Sequence, residues 1–321
     1  MEFSGYDLIG DVHGCARTLQ QLLQRLGYQR RGGCYRHPQR QAIFIGDIVD
    51  RGTGVREALE LVREMVEQGA AQIVLGNHEY NCIAYNEPAR PGSQHQYLRD
   101  HSPRNQRMLR ETLEQMEPYA DEWRDHLRWF RQIPLFLDLE GFRVVHACWD
   151  EELIQRLKQQ QIQDLSDDDF LHRTVERGSF GWLVADRLLR GTYLRLPNEA
   201  VMESAEGFRR YVYRTKFWSR NPQRHGDVVF QPDPLPEHLA RLPLTEGERE
   251  KLLHYGSELP PLFIGHYWRQ GIPAPITNNI ACLDYSAVKA GRLVAYRMDA
   301  ETVLSADKFV WVDVDARDLA D

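Results

Sequence analysis

The sequence is short of the features that mark an exported, membrane-bound or nucleic-acid-binding protein. It has only five cysteines (Cys15, Cys34, Cys82, Cys148 and Cys282), widely spaced and with no CxxC pair. An odd, scattered set favours reduced thiols over a disulfide framework and makes a thiolate metal site unexpected. No run approaches the ~20 apolar residues that cross a bilayer. The opening MEFSGYDLIG has neither the basic stretch nor the small-residue cleavage site of a secretory signal. Basic residues are in deficit, 40 against 47 acidic, for a net charge of −7, so the broad positive footprint of a nucleic-acid binder is missing. These absences lead us to expect a cytoplasmic location, with neither membrane nor nucleic acid as a partner.

What is present is the composition of a globular protein, 42% hydrophobic and 27% charged over 321 residues, long enough for one large domain or two smaller ones. Tyr6–Gly10, Ala42–Ile45 and Ile73–Leu75 are short buried strands. Between them, Leu19, Leu22, Leu23 and Leu26, then Val55, Ala58, Leu59, Val62 and Val66, repeat at helical spacing. Strand–helix alternation of this kind feeds a largely parallel sheet. From 87 to 132 the pattern changes to two polar amphipathic helices, with Leu109, Leu113 and Met116 on one stripe and Trp123, Leu127 and Phe130 on the other. A hairpin over 134–145 follows, then a helical stretch over 151–190 and an irregular, proline-bearing segment over 221–243. Strands return at 262–264, 279–283, 293–297 and 309–314. We find no internal repeat and no low-complexity linker. The expected organisation is one α/β domain over 1–321, with helical insertions at about 87–132 and 150–220.

The chemistry gathers where the early strands end. They run into Gly10-Asp11-Val12-His13-Gly14, Gly46-Asp47-Ile48-Val49-Asp50-Arg51-Gly52 and Gly76-Asn77-His78-Glu79. Later strands end in His146 and His266. Loops from neighbouring strands converge at the carboxyl edge of an α/β sheet. Carboxylate, imidazole and amide oxygen without thiolate suit Mn, Fe or Zn, and so many donors exceed the need of one ion. Two ions about 3.5–4 Å apart can clamp both oxygens of an in-line phosphoryl displacement, with Arg51 placed to hold a phosphoryl oxygen.

GDVHG, GDIVDRG and GNHE, in that order and followed by two separated histidines, resemble the motifs of the calcineurin-like metallophosphoesterases. The DRG extension is similar to the phosphoprotein phosphatase branch, which also holds symmetric dinucleoside-tetraphosphate hydrolases. The resemblance implies a metallophosphoesterase-type β-sandwich flanked by helices. It implies one ion on Asp11, His13 and Asp47, and a second on Asp47, Asn77, His146 and His266. His78, oriented by Asp50, would be the general acid, and Arg51 would bind the phosphoryl group. Two divalent ions are expected, Mn first and Fe or Zn as alternatives. They would activate a bridging water for direct attack on a phosphate ester or anhydride.

Two features depart from the family pattern. His146-Ala147-Cys148-Trp149-Asp150 is similar to the bacterial members rather than the His-Gly-Gly form of eukaryotic protein phosphatases. Trp218-Ser219-Arg220-Asn221-Pro222 resembles a Trp-Ser-Asp-Pro motif, but the Arg-Gly pair that supplies a second phosphate-binding arginine is missing, leaving Arg214, Arg220 or Arg224. The absence of a second histidine in Gly265-His266-Tyr267-Trp268 counts against the nuclease branch. The leading expectation is a phosphatase of the Ser/Thr protein phosphatase type, acting on a phosphorylated protein or small molecule. The alternative is a symmetric dinucleoside-tetraphosphate (diadenosine tetraphosphate) hydrolase, and a rival of another class is an inactive scaffold. Cys15 reads as a packing residue, the 123–130 stripe as helix packing and the arginines of 99–110 as a solvated helix face with a polyphosphate clamp as the alternative. The remaining histidines read as surface residues.

Overall fold

A computed structural model describes residues 3–203, 209–230, 235–289 and 291–320. The chain opens with β1 (Gly5–Ile9) and α1 (Ala16–Leu26), then a small hairpin, β2 (Gln29–Arg31) and β3 (Cys34–Arg36), that the sequence reading did not anticipate. β4 (Arg40–Phe44), α2 (Val55–Glu67), β5 (Ala71–Ile73) and α3 (Asn77–Asn86) complete the first unit. The first insertion holds the two expected helices, α4 (Pro103–Met116) and α5 (Ala120–Arg131). After the hairpin β6 (Phe136–Leu139) and β7 (Phe142–Val145) come α6 (Glu151–Gln159), α7 (Asp168–Arg173) and α8 (Phe180–Arg190).

The stretch at about 150–220 is helical only as far as Arg190. Beyond it β8 (Thr192–Arg195) pairs antiparallel with β11 (Val212–Thr215), and between them β9 (Met202–Glu203) pairs with β10 (Arg209–Arg210). Alternation hides these strands: Tyr213 is fully buried while Val212 and Arg214 face outward or into a cleft, so no apolar run marks them. Of the segment expected to be irregular, 231–234 lies outside the described residues. The rest carries the short helices α9 (His225–Val228) and α10 (Glu237–Ala240), followed by α11 (Glu246–Arg249). The chain ends through β12 (Leu262–Ile264), β13 (Ile280–Cys282), β14 (Asp284–Tyr285), β15 (Arg292–Met298) and β16 (Phe309–Asp313).

Two sheets face each other. In the first, β1, β4 and β5 run parallel, but β15 pairs antiparallel with β1 and carries β14 and β16 on its other side. In the second, β12 lies parallel to both β7 and β13, with β6 antiparallel on the edge. The architecture is therefore a mixed sandwich, less parallel than the strand–helix alternation alone implies. Strand residues alternate between faces, and each sheet is buried on both. Leu8, Ile43, Ile45 and Val74 point into the sandwich to meet Phe142, Val144, Phe263 and Ala281. Their neighbours Ile9, Phe44, Val145 and Ile264 point outward to the helix layers. Trp123 and Phe130 of α5 pack into that outer layer, as a helix-packing stripe should. Among the described residues no helix is long and apolar enough to cross a membrane.

Candidate metal centre

Asp11, Asp47 and Asn77 follow the carboxyl ends of the parallel strands β1, β4 and β5, and His146 and His266 follow those of β7 and β12. Five strand ends from two sheets thus meet at one rim. The meeting is close enough to demand glycine. A Cβ on Gly76 would lie 2.3 Å from the Asp47 backbone nitrogen, and one on Gly265 would lie 2.1 Å from Asp11 Oδ1. Non-glycine residues pay strain here: His13, Asp47, Asp50, Arg51 and His266 all have left-handed backbone, with φ between 47° and 73°. Such conformations cost about 1–3 kcal/mol each and persist only where the surroundings impose them.

Asp47 is the hub. Its Oδ2 lies 3.3 Å from His146 Nε2 and 3.8 Å from both His13 Nε2 and His78 Nε2. Ligand atoms of His13, Asp47 and His78 fall within 4.8 Å of one another, and so do those of Asp47, His146 and His266. Asn77 Oδ1 lies 3.1 Å from His146 Nε2, and the His266 amide donates to Asp11 Oδ2 at 3.2 Å. His13 and His146 each use Nδ1 to donate to a backbone carbonyl, Val49 at 3.0 Å and Ile45 at 2.7 Å. That fixes the tautomer and turns each Nε2 lone pair inward, as metal-ligating histidines require. Asp11 Oδ1 and His266 Nε2 are buried with no hydrogen-bond partner. Two orphaned acceptors in one cluster of hard donors fit a cation, since buried polar atoms are otherwise satisfied.

The electrostatics agree. Burial alone would raise the Asp47 carboxyl, but His146, His78 and His13 outweigh it and hold the group well below the usual range. Asp11 is pushed up, by burial and then by Asp284 and Asp47. Burial drives His13 and His266 down, helped by Arg51 and Arg214 respectively, leaving neutral rings able to ligate. His146 runs the other way: burial opposes its protonation, yet the adjacent Asp47 lifts it to about 10, so ligation through Nε2 requires that proton to leave.

The structure brings the other expected groups to the same rim, with two exceptions among the candidate phosphate-binding arginines. His78 Nδ1 lies 2.5 Å from Asp50 Oδ2, and its Nε2 lies 3.3 Å from the Arg51 guanidinium. Arg214 lines the same cleft and donates to the His266 carbonyl at 3.1 Å. Arg220 is elsewhere. It bonds Ser257 in a separate depression with Asn221 and His254, because the turn after β11 carries it past the rim. Arg224 likewise does not line the cleft.

Three residues at the site escaped the sequence reading. Glu79, fully buried, accepts from the backbone amides of Asp47, Ile48, Val49 and Gly76 at 2.7–3.2 Å, so one carboxylate shapes two of the motif loops. It is the last residue of GNHE, and its place in the first turn of α3 was the available signal. Thr112 of α4 bonds Asp50 across 62 residues, which no local pattern reveals. Asp284 lines the cleft beside Asp11 and follows β13, so strand-end logic carried one strand further would have found it. Two histidines expected on the surface are buried instead. His126 packs against Trp129 and Phe130, and His225 meets the Tyr213 hydroxyl at 2.6 Å. Cys15 is fully buried and its thiol is pushed up to about 12 by desolvation.

A two-sheet sandwich with such a hub at its carboxyl rim defines a class, and the comparisons agree. The family model for calcineurin-like phosphoesterases matches residues 6–191, and the chain belongs to that family. An asymmetrical bis(5'-nucleosyl)-tetraphosphatase, PrpE, of Oceanobacillus iheyensis is 31% identical over 156 residues, 46% of this chain and 58% of that protein. Its counterpart in Halalkalibacterium halodurans is 46% identical over 74 residues, 23% of this chain and 30% of that one. The chain thus spans under two thirds of these relatives. Among solved structures, a protein serine/threonine phosphatase from Saccharomyces cerevisiae aligns with 99% of this chain and 81% of its own at 14% identity and TM-score 0.48. A metallophosphoesterase from Sphaerobacter thermophilus aligns with 97% and 89% at 15% identity and TM-score 0.43.

Proposed function

We propose that the chain is a two-metal phosphoesterase whose substrate is a phosphate anhydride of the dinucleoside polyphosphate type. The observation that carries this reading is Asp47, one carboxylate common to two sets of ligand atoms. Asp11, His13 and Asp47 would hold one divalent ion, and Asp47, Asn77, His146 and His266 the other, with Mn the first choice for this oxygen and imidazole set. Bound there, the ions would supply Lewis acidity and make a water nucleophilic near neutral pH.

The protein's own groups do the rest. Arg51 and Arg214 hold phosphoryl oxygens through charge-assisted hydrogen bonds and orient the group for in-line attack. His78 gives its Nε2 proton to the departing oxygen, while Asp50 on Nδ1 fixes the ring and stabilises its cationic form. The names of the curated relatives favour the nucleotide over the phosphoprotein, which reverses the order the motifs alone suggested. Residues of the first insertion line the same cleft, so we read the chain as one domain. Five buried free thiols fit a reducing compartment such as the cytoplasm.

The test supplies Mn²⁺ and compares diadenosine tetraphosphate, a phosphopeptide and an aryl phosphate. Preference for the dinucleotide is expected. Preference for the phosphopeptide overturns the substrate, and turnover of none overturns the activity. Less than one equivalent of transition metal after Mn²⁺ loading would favour the inactive scaffold.

A further inference from the structure

We infer that the depression holding Arg220 is a second ligand site, for a small phosphomonoester, separate from the catalytic cleft. It goes beyond the phosphoesterase reading and does not depend on it.

The depression encloses about 530 Å³, within the range of small-molecule sites. It has no lining residue in common with the cleft over Asp47 among the described residues. Lys216, Arg220, Arg249 and His254 line it, and no carboxylate does among the described residues. On a chain with 47 acidic residues against 40 basic, a wall of one sign is a local departure, and positive charge concentrated in a concave wall draws anions in.

Acids outside the wall do not take up this charge. Among the described residues no carboxylate pairs with Lys216, Arg220 or Arg249, whereas the exposed Arg128 and Arg241 are paired with Asp125 and Glu237. Asp227 spends Oδ2 on the Gln223 and Arg224 amides, at 2.9 and 2.8 Å, which hold its pKa down more than Lys216 does.

Two of the cations are already held in place by neutral oxygens. Arg220 Nη2 donates to Ser257 Oγ at 3.0 Å, and Arg249 Nη1 donates to the Leu244 carbonyl at 2.7 Å. Each guanidinium keeps further N–H donors, which can meet the oxygens of a dianion through charge-assisted bonds. A fork fixed beforehand loses less freedom when a ligand arrives. Much of the remaining wall is apolar, with Val228 fully buried and Leu252 and Leu253 half-buried beside it. Cations next to an apolar wall suit a molecule with a doubly charged head and a flat organic body. A nucleoside monophosphate has that form, and bare phosphate would use the cations alone.

The experiment titrates metal-free protein with inorganic phosphate and with adenosine monophosphate, and reads affinity by calorimetry. The wild type is compared with Arg220→Ala/Arg249→Ala, with Lys216→Ala, with Arg51→Ala in the cleft and with Arg124→Ala/Arg128→Ala on α5. Thermal melts establish that each variant is folded. We expect saturable binding by the wild type, about 10-fold tighter for the nucleotide than for phosphate because of the apolar wall. The Arg220/Arg249 variant should lose about 30-fold for both probes and Lys216→Ala about 10-fold, as loss of charge-assisted contacts implies. Arg51→Ala and the α5 variant should lose nothing. Absence of saturable binding by the wild type overturns the site, and so does affinity that survives the loss of Arg220 and Arg249. A fall in Arg51→Ala equal to that in the Arg220/Arg249 variant places the anion in the catalytic cleft and overturns it too. Phosphate binding as tightly as the nucleotide overturns the phosphomonoester as the ligand. Turnover is not read, so failure of the phosphoesterase reading would leave this result standing.

Discussion

Thr112 and Asp50 are bonded twice: the Asp50 amide donates to Thr112 Oγ1 at 2.9 Å, and the Thr112 hydroxyl donates to Asp50 Oδ1. The other Asp50 oxygen meets His78, so α4 braces the pair proposed to move the proton. Thr112→Val keeps the shape and removes both bonds, stranding a buried amide and a carboxylate oxygen. It should destabilise the fold by about 1–3 kcal/mol and slow substrates with poor leaving groups more than those with good ones. Thermal melts and a leaving-group series check the two halves, and equal slowing across the series would reduce Thr112 to a packing role.

His78 can be read as acid or as ligand, since its Nε2 lies as near Asp47 Oδ2 as that of His13 does. As the acid, His78→Ala retains two equivalents of metal and loses about 100-fold in rate on poor leaving groups, within the range of general acid catalysis. Metal analysis of the purified variant separates the roles, because a drop to one equivalent would make it a ligand.

Asp47→Asn removes the one negative group shared by both ligand sets. Metal content should fall below one equivalent and turnover by more than about 100-fold, beyond the usual cost of an outer-shell change. Retention of two ions would show that the hub is not the bridge.

Glu79→Gln exchanges an acceptor for four backbone amides for a side chain with a donor on one end. A loss of about 2 kcal/mol is expected, in line with hydrogen bonds to charged groups, together with weaker metal binding as the Asp47 turn relaxes. Chemical denaturation and a Mn²⁺ titration measure both.

All five thiols are buried, and desolvation pushes Cys15 up to about 12 and Cys148 above its usual range. A thiol whose pKa is raised stays protonated, and therefore unreactive, as pH rises through the ordinary thiol range near 8.5. Native protein at pH 8 should not react with a disulfide reagent over minutes, while five thiols should react after denaturation. Prompt labelling of native Cys15 would restore a redox role to it.

The site was more legible in the sequence than the scaffold. Gly-Asp, Gly-Asn and strand-terminal histidines carry their chemistry in residue type, so Asp11, Asp47, Asn77, His146 and His266 could be grouped without knowing how the sheets pair. The strand–helix rhythm of residues 5–86 was equally plain, because buried strands and leucine stripes announce themselves. β8 and β11 were not, since their faces alternate between core and cleft, and the antiparallel place of β15 depends on a return from the far end of the chain. Thr112 shows the limit most clearly. Its partner is 62 residues away, and a threonine in a polar helix looks like any other.

The left-handed backbone at His13, Asp47, Asp50, Arg51 and His266 sets a conflict between durability and use. Glycine would occupy each of those positions with less steric cost, yet glycine there aims nothing at phosphorus or at a cation. Screens that reward heat resistance alone should therefore drift toward Gly at Arg51, where no buried bond is lost, and the hardened protein they return would lack the proposed phosphoryl contact.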